Sequence, residues 1–503
     1  MPTRRNVLAV AAAVTGTSIA GCTDDSGAEA AEESPDEEDD DDGTEDALGA
    51  ELGVAAEWNA IRSRVDDALA LGIAEEFSVG AAVTGDTLAR FEAATDEWGA
   101  HEQLEETDHD AYEEFEEALE ELRLEALDEE DLERAHTEAE IADEQLREAQ
   151  RQRLSHRNAL AFDMGLFAAR IADVATLGIA GEFDGAAEIA HETDERWENS
   201  IVHDEVSAAD GDLYAAFEGE LPGLEEAAED EDLEALEEGA DAAITAAFDA
   251  AYVLSEDDAA AHAATLSAMQ ARAWDAAVLA SLEGVEPETA ADVARGALAR
   301  FEASRAHDAV GAADHDTYEA FEGELEAVAD ALSADEGVDE AMAEFADAAL
   351  RAQFAVAGAL EKAPGDGGGH DGEHGHGDHD DLEGGPNVVE GVPDDADHVV
   401  EMHAASFEPE ELTIEAGETV AFEHVEGEPH TVTAYEDGVP DGAAYWASGG
   451  FEDEDAAREG WKDGRGAVVS GQSYVRTFEA TGTHEFCCIP HEAAGHVGRV
   501  DVE

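Results

Sequence analysis

A segment that occurs three times constrains the fold of this chain more than any other feature. It reads DHDAYEEF at 108–115, DGDLYAAF at 210–217 and DHDTYEAF at 314–321, so the sequence repeats about every 103 residues. In each copy, apolar residues follow the tyrosine at spacings of three and four, which is typical of one buried helical face. We therefore predict that residues 48–360 are all-α, with three repeats of about four helices arranged as three antiparallel bundles in a row. In the second copy Pro222-Gly223 interrupts this face and predicts a break in the helix.

A histidine followed by an acidic residue stands seven residues before each of these segments. His101, His203 and His307 could each belong to a metal or proton site, with the Asp-x-Asp pair of the segment as neighbours across a turn. Alternatively, each histidine ends one helix, where an imidazolium is favourable, and the aspartates cap the next helix. The spacing leaves both interpretations open, so the three histidines are possible weak metal sites.

Acidic residues outnumber basic ones by 130 to 24, which gives a formal net charge of −106. A surface this negative repels phosphate backbones, so no nucleic-acid partner is expected. In concentrated salt the Debye length falls to ~3 Å near 1 M, and the self-repulsion is screened. The charge therefore indicates a protein from an extreme halophile. In agreement with this source, the helical repeats of residues 48–360 resemble uncharacterised helical repeat domains of haloarchaea.

Residues 1–22 combine two arginines, a short apolar stretch and small residues before Cys22. The apolar stretch is shorter than the ~20 residues that span a bilayer, so the segment is predicted to be an export signal. Thr3-Arg4-Arg5 resembles a twin-arginine (Tat) motif, and Ile19-Ala20-Gly21-Cys22 resembles a lipobox. This resemblance implies an extracytoplasmic lipoprotein anchored to the cell membrane by a lipid on Cys22. Residues 23–47 are acidic and almost free of apolar side chains, which predicts a disordered tether.

Residues 361–393 separate the helical region from the last part of the chain. They are rich in glycine and contain four closely spaced histidines, which are His370, His374, His376 and His379. The composition predicts a flexible linker, either a solvated hinge or an arm that holds soft divalent ions weakly.

The hydrophobic pattern changes in residues 394–503 to short alternating segments separated by turn residues. Many short strands in a unit of this size predict an all-β sandwich. The predicted strands are His398–Ser406, Glu411–Ile414, Thr419–His424, His430–Tyr435, Ser473–Phe478, Gly482–Cys488 and Gly498–Val502.

Four side chains of this region can converge on one metal ion. Cys488 stands at a predicted strand end, His491 follows three residues later, His496 five residues after that, and His430 precedes them on another strand. Two imidazoles and a thiolate with a weak axial donor are the ligand set of an electron-transfer copper site. The loop Cys488-Ile-Pro-His491-Glu-Ala-Ala-Gly-His496 resembles the Cys-x-Pro-His-x-x-x-Gly-Met loop of plastocyanins and halocyanins. Glu-Pro-His430-Thr-Val resembles the strand that carries their first ligand.

The resemblance implies a blue copper protein (cupredoxin) with His430, Cys488 and His491 as equatorial ligands of one type-1-like copper. Cys487 takes the outward-facing place before the ligand cysteine, as a spare thiol or as one half of an intermolecular disulfide. His496 stands where the family usually has an axial methionine. Since an imidazole is the harder donor, a bound His496 favours Cu(II) and lowers the potential. If His496 swings away or is protonated, a trigonal site with a pH-dependent spectrum remains.

The sequence therefore predicts an electron carrier and not an enzyme. Its expected partners are membrane redox proteins that donate and accept single electrons. Multicopper oxidase chemistry is not expected, since the chain contains one cysteine-based ligand set. Two alternatives remain, which are copper capture or storage and a cell-surface interaction protein that carries a copper domain.

Overall fold

The computed structural model describes residues 42–282, 284–364, 382, 384–393, 396–425, 429–436, 438–440, 443–462, 464–492 and 494–503. The predicted export signal, Cys22 and the four histidines of the linker lie outside these residues. Within them, an all-α region precedes a β-sandwich, which confirms the predicted fold class.

Each of the three repeats begins with a long helix, continues with a 17-residue helix and a short third helix, and ends with a helix of 19–22 residues. The helices of the first repeat are α1 (Asp42–Ile73), α2 (Phe77–Ala93), α3 (Ala100–Thr107), α4 (His109–Glu121) with a π-helical turn (Leu122–Leu127), and α5 (Leu132–Arg153). Those of the second are α6 (His156–Ala180), α7 (Phe183–Asn199), α8 (Ile201–Ala209), α9 (Gly211–Glu218), α10 (Leu221–Glu229) and α11 (Leu233–Leu254). Those of the third are α12 (Asp258–Ser281), α13 (Pro287–Ala303), α14 (Arg305–Ala313), α15 (His315–Ala334) and α16 (Val338–Val356), followed by a 3-10 turn (Leu360–Lys362).

The break predicted at Pro222-Gly223 is confirmed. Helix α9 ends at Glu218 and α10 begins at Leu221, whereas the third repeat has the single helix α15 in this place. Pro222 lies in the first turn of α10, where its missing N–H is not needed for an intrahelical hydrogen bond.

The first helices of the three repeats, α1, α6 and α12, are buried around almost their whole circumference. Asn59 of α1 donates a hydrogen bond to Ser267 of α12 at 3.2 Å. Gly165 of α6 lies so close to α12 that a Cβ there would be 2.9 Å from the Ala264 carbonyl oxygen. One hydrophobic cluster runs through all three repeats. The three repeats therefore share one core and do not form separate bundles in a row, because helices without a polar face must be buried by other helices on every side.

A buried ion-pair network joins the first repeat to the second. Arg62 Nε lies 2.7 Å from Asp143 Oδ1, and Arg196 of α7 binds the other carboxylate oxygen. The Arg62 and Asp143 side chains are 1% and 8% exposed. Burial alone would raise the pKa of Asp143, but Arg62 and Arg196 hold it well below its usual value. The network therefore contributes stability that is present above about pH 4 and lost as the pH falls further.

Replacing Asp143 with Asn is expected to lower the free energy of unfolding at neutral pH by about 3 kcal/mol, because the buried Arg62 and the half-buried Arg196 both lose their shortest carboxylate contact. Chemical denaturation measures the effect. The control is Asp292→Asn, which removes one of the two carboxylate partners of Arg295 on the surface; the side chains of Asp292 and Arg295 are 70% and 41% exposed. That change is expected to cost less than about 1 kcal/mol, and equal costs at the two positions would contradict this account.

The β domain consists of two sheets that enclose a second hydrophobic cluster. Its strands are β1 (Val388–Glu390), β2 (His398–His403), β3 (Ser406–Glu408), β4 (Glu411–Ile414), β5 (Thr419–His424), β6 (Thr433–Ala434), β7 (Gln472–Thr477), β8 (Gly482–Cys487) and β9 (Val497–Val502). A helix, α17 (Glu454–Lys462), lies between β6 and β7 in the chain. The strand order is β1-β7-β5-β2-β3 in one sheet and β4-β9-β8-β6 in the other. The order brings β6, β8 and β9 together, so the segments next to these strands meet at one end of the sandwich.

In the part of the chain that the structure describes, no helix is long and apolar enough to cross a membrane.

Candidate metal centre

Backbone pairing brings the four predicted ligands together. His430 lies just before β6 and exchanges two backbone hydrogen bonds with Val468, of 3.0 and 2.8 Å. Cys488 directly follows β8, and His496 directly precedes β9, which is the antiparallel partner of β8. The Cys488 N–H donates to the His496 carbonyl at 2.9 Å and closes the loop between them.

Short hydrogen bonds fold this loop inward. The His491 N–H donates to the Cys488 carbonyl at 3.2 Å, and the His496 N–H donates to the His491 carbonyl at 3.1 Å. Gly495 has φ +87°, in the left-handed region that glycine adopts without strain. The loop can therefore reverse within a few residues and place the side chains of His491 and His496 beside Cys488.

Three donor atoms form a compact triangle. His430 Nδ1 lies 3.0 Å from His491 Nδ1, and Cys488 Sγ lies 3.6 Å from the first nitrogen and 3.3 Å from the second. His430 and Cys488 are fully buried, and His491 is 3% exposed. Two imidazole nitrogens and a sulfur that face one another in a dry pocket suit a soft or borderline metal ion, and copper fits this donor set.

His496 lies beside this triangle. One ligand atom from each of His430, Cys488, His491 and His496 falls within 4.8 Å of all the others. Neither ring nitrogen of His496 has a hydrogen-bond partner among the residues that the structure describes, although the side chain is fully buried. Burial of an imidazole without polar partners is costly, so this ring also fits a metal-binding role.

The burial of the pocket keeps the imidazoles of His491 and His496 neutral. Burial lowers the pKa of His491 to about 3 and that of His496 to about 2, so both rings are neutral and able to coordinate a metal near pH 7. Burial raises the pKa of Cys488 to about 12. The Thr431 N–H donates to Cys488 Sγ at 3.3 Å and favours the thiolate, but most of the charge compensation must come from a bound cation.

Cys487 differs from its predicted surroundings. Its side chain is fully buried and does not reach solvent, and burial, with Glu492 nearby, raises the pKa of its thiol. Cys487 does face away from the core of the sandwich, as expected, but it is not exposed, because α17 and the ligand loop cover this side of the sheet. Cys487 could form an intermolecular disulfide only if α17 or the ligand loop moved away from it.

Helix α17 was not predicted from the sequence, yet it holds the ligand loop. Both terminal nitrogens of Arg458 contact Glu492, the residue after His491, at 2.6 and 3.1 Å. Arg458 also pairs with Glu454 one turn earlier in α17. This i,i+4 pair is a weak helix signal that the sequence does contain.

The helical region covers the edge of the site that His491 occupies. His491 Nε2 lies 3.6 Å from Glu92 Oε2 on α2, and both side chains are almost completely buried. Ala494 of the ligand loop belongs to the hydrophobic cluster of the helical region. The face of the β domain that carries His491 is therefore packed against the first repeat.

The histidines that recur in the helical repeats occupy equivalent places. Each lies in the first turn of the short third helix, and its Nε2 is 2.9–3.3 Å from the tyrosine hydroxyl of the recurring segment. A glutamate of the following helix lies 3.6–3.9 Å from the same nitrogen. The pairs are His101 with Tyr112 and Glu116, His203 with Tyr214 and Glu218, and His307 with Tyr318 and Glu322.

This arrangement differs from both sequence interpretations. The histidines do not end a helix, because α3, α8 and α14 begin just before them. The capping half of that interpretation is correct, since Asp108, Asp210 and Asp314 each accept a hydrogen bond from a backbone N–H of the next helix. The neighbours of each imidazole are a tyrosine and a glutamate rather than the Asp-x-Asp pair. Of the three histidines, His101 alone also falls into groups with ligand potential, one with Glu92 and Glu116 and one with Glu102 and Glu105.

Comparison with known proteins divides the chain in the same way as the structure. Residues 53–291 and 284–364 match a domain of unknown function, DUF5059. Residues 395–503 match the family described as copper binding proteins, plastocyanin/azurin family.

Similar proteins match the C-terminal region. Plastocyanin from Scenedesmus fuscus is 35% identical over 100 residues, which are 20% of this chain and 89% of that protein. Chloroplastic plastocyanin from Physcomitrium patens is 36% identical over 99 residues, and the chain spans only 51% of its length. Among solved structures, amicyanin from Paracoccus versutus is 26% identical, with 23% of this chain and 98% of amicyanin covered and a TM-score of 0.17. The chain therefore belongs to the DUF5059 family, and its C-terminal region is a cupredoxin domain of the plastocyanin/azurin family.

Proposed function

We propose that this protein binds one copper ion through His430, Cys488 and His491 and carries single electrons between redox partners. The observation that carries the proposal is the buried triangle of two imidazole nitrogens and one sulfur, with edges of 3.0–3.6 Å. When bound, copper supplies the one-electron change between Cu(II) and Cu(I). The protein supplies the donor set and excludes water.

The surroundings of the ligands favour fast electron exchange. His430 is fixed by backbone hydrogen bonds to Val468, and the ligand loop is fixed by Arg458 and by its own hydrogen bonds. Ligands that are held in place before the metal changes charge need little rearrangement during the transfer. A rigid carrier of this kind needs no substrate pocket and no catalytic side chain, which agrees with an electron carrier rather than an enzyme.

The proposed setting is the outer face of a cell membrane in concentrated salt, with membrane redox proteins as electron donor and acceptor. The net charge of −106 supports the high-salt environment, and the paired arginines, short apolar stretch and Cys22 support export and lipid anchoring. Under this proposal the acidic stretch after Cys22 separates the folded part from the lipid surface.

Voltammetry of the copper-loaded full chain, combined with its copper content, tests the proposed function. An electron carrier gives a reversible one-electron wave and retains one tightly bound copper through repeated cycles. Several weakly held ions, or loss of copper on reduction, would instead support copper capture or storage. A chain without any reversible wave would contradict electron transfer and favour the cell-surface interaction protein.

The contact between Glu92 and His491 predicts that the helical region tunes the copper potential. A buried carboxylate beside a ligand ring stabilises the more positive Cu(II) state, so Glu92→Gln is expected to raise the potential, on the order of 50 mV. Voltammetry of both proteins under the same conditions measures the shift.

The two other repeats provide a matched control. Glu198 and Glu302 follow Trp197 and Phe301, as Glu92 follows Phe91, but both are exposed. Glu198→Gln is expected to leave the potential unchanged. If Glu92→Gln and Glu198→Gln shift the potential equally, the helical region does not act through this contact.

A further inference from the structure

Three aspartates at equivalent positions of the three repeats meet in the middle of the helical region. Asp67, Asp173 and Asp275 lie on the central helices α1, α6 and α12, and each is only 3–5% exposed. One carboxylate oxygen from each lies within 4.8 Å of the other two. Each aspartate follows an arginine by three residues, and these arginines are Arg64, Arg170 and Arg272.

The arginines do not balance the charge of this aspartate ring, which we define as Asp67, Asp173 and Asp275. Arg64 lies 3.3 Å from Asp67 Oδ2, and Arg272 lies 2.9 Å from Asp275 Oδ2. Arg170 instead pairs with Asp66 on the neighbouring helix. Three carboxylates thus share two guanidinium groups.

One oxygen of the ring has no hydrogen-bond donor. Asp67 Oδ1 is fully buried and has no partner among the described residues, while Oδ2 faces Arg64. Asp173 of α6 lies within hydrogen-bond reach of Asp67, and its carboxylate is another acceptor. Because two carboxylates cannot satisfy each other, either a proton or a cation must lie between them. Burial, with Asp275 nearby, raises the pKa of Asp67 to about 7, and burial also raises the pKa of Asp173.

We propose that the aspartate ring binds one hard divalent cation of the calcium class at the junction of the three central helices. Calcium takes carboxylate oxygens at about 2.3–2.6 Å, so oxygens up to about 5 Å apart can share one ion. The carboxylate oxygens of the three aspartates lie within 4.8 Å of one another, which meets this condition. All-oxygen donors also separate this site from the sulfur and nitrogen donors that suit copper.

A cation in the ring would crosslink the three repeats. Each repeat contributes one ligand from its first, buried helix. The binding site for the ion is therefore complete only when all three repeats are folded together. Binding that occurs only in the folded state stabilises that state. The role is structural and independent of electron transfer by the β domain.

Thermal unfolding of the full chain at high NaCl concentration, with excess calcium or excess EDTA, tests this proposal. The salt screens the exposed carboxylates and weakens their unspecific binding of calcium. A difference in midpoint between calcium and EDTA therefore comes mainly from a specific site. We expect a midpoint about 4 °C or more higher in calcium for the wild-type protein. Equal midpoints in calcium and EDTA would overturn the proposal and favour a proton shared between Asp67 and Asp173.

Two ring variants and one control locate the effect. Asp173→Asn and Asp67→Asn keep the side-chain shape and supply an amide donor, and both are expected to lose the calcium-dependent shift. Asp330→Asn removes an exposed carboxylate from α15 and is expected to retain the full shift. If both ring variants keep the wild-type shift, calcium binds elsewhere and the proposed site is wrong.

Discussion

Replacing Cys488 with serine in the copper-loaded protein is expected to abolish the intense visible absorption of the site. That absorption arises from charge transfer between a thiolate and Cu(II), and Cys488 Sγ is the sulfur that lies 3.3–3.6 Å from both imidazole nitrogens. A serine hydroxyl is a harder donor that is not ionised near pH 7, so copper affinity should also fall by at least tenfold. Absorption spectroscopy and a copper competition titration measure the two effects.

The adjacent cysteine provides the control for this experiment. Cys487 is equally buried but belongs to the other face of β8, next to Tyr435. Cys487→Ser is expected to keep the band and the copper affinity. If the band survives in Cys488→Ser but disappears in Cys487→Ser, the copper-bound sulfur belongs to Cys487, and the assignment of Cys488 as the ligand is wrong.

The second large effect is expected from His496→Met. If the buried ring of His496 donates to copper, its replacement by a softer thioether destabilises Cu(II) relative to Cu(I) and raises the potential. A tenfold change in relative affinity corresponds to about 59 mV for one electron, and we expect at least this shift. The EPR spectrum should also move from a tetragonal towards a trigonal pattern.

The control is a His→Met substitution at a histidine outside the donor group. It shows whether a change at His496 is due to copper coordination or to the substitution in general. His398 lies at the start of β2 and pairs with Glu418 at 3.0 Å. His398→Met is expected to leave both the potential and the EPR spectrum unchanged. Identical values for wild type and His496→Met would mean that His496 does not bind copper.

The residues of the candidate metal centre could be located in the sequence because most of them lie close together in the chain. Three of its four side chains lie within nine residues, and the loop Cys488 to His496 resembles a known ligand loop. The strands Glu411–Ile414 and Thr419–His424 were predicted with their observed bounds, since each is a short alternating segment between turn residues. Position 430 followed from the family resemblance, which locates the first ligand far from the others.

The remaining features depend on contacts between distant parts of the chain. Periodicity identified helices, but it could not show that α1, α6 and α12 lie together, because a helix that is apolar on all sides has no preferred direction of packing. The contact of Glu92 with His491 joins two domains, and no local pattern in the sequence connects these two residues. The Arg-x-x-Asp pattern of the aspartate ring was present in the sequence, but with 130 acidic residues it could not be distinguished from chance.

A copper titration of the full-length protein, followed by visible absorption and EPR, tests the central claim most directly. The structure predicts an intense sulfur-to-copper band that grows linearly and stops at one equivalent of copper per chain, with the EPR signal of a single copper species. Full occupancy without such a band would contradict the assignment of His430, Cys488 and His491 as ligands of one electron-transferring copper.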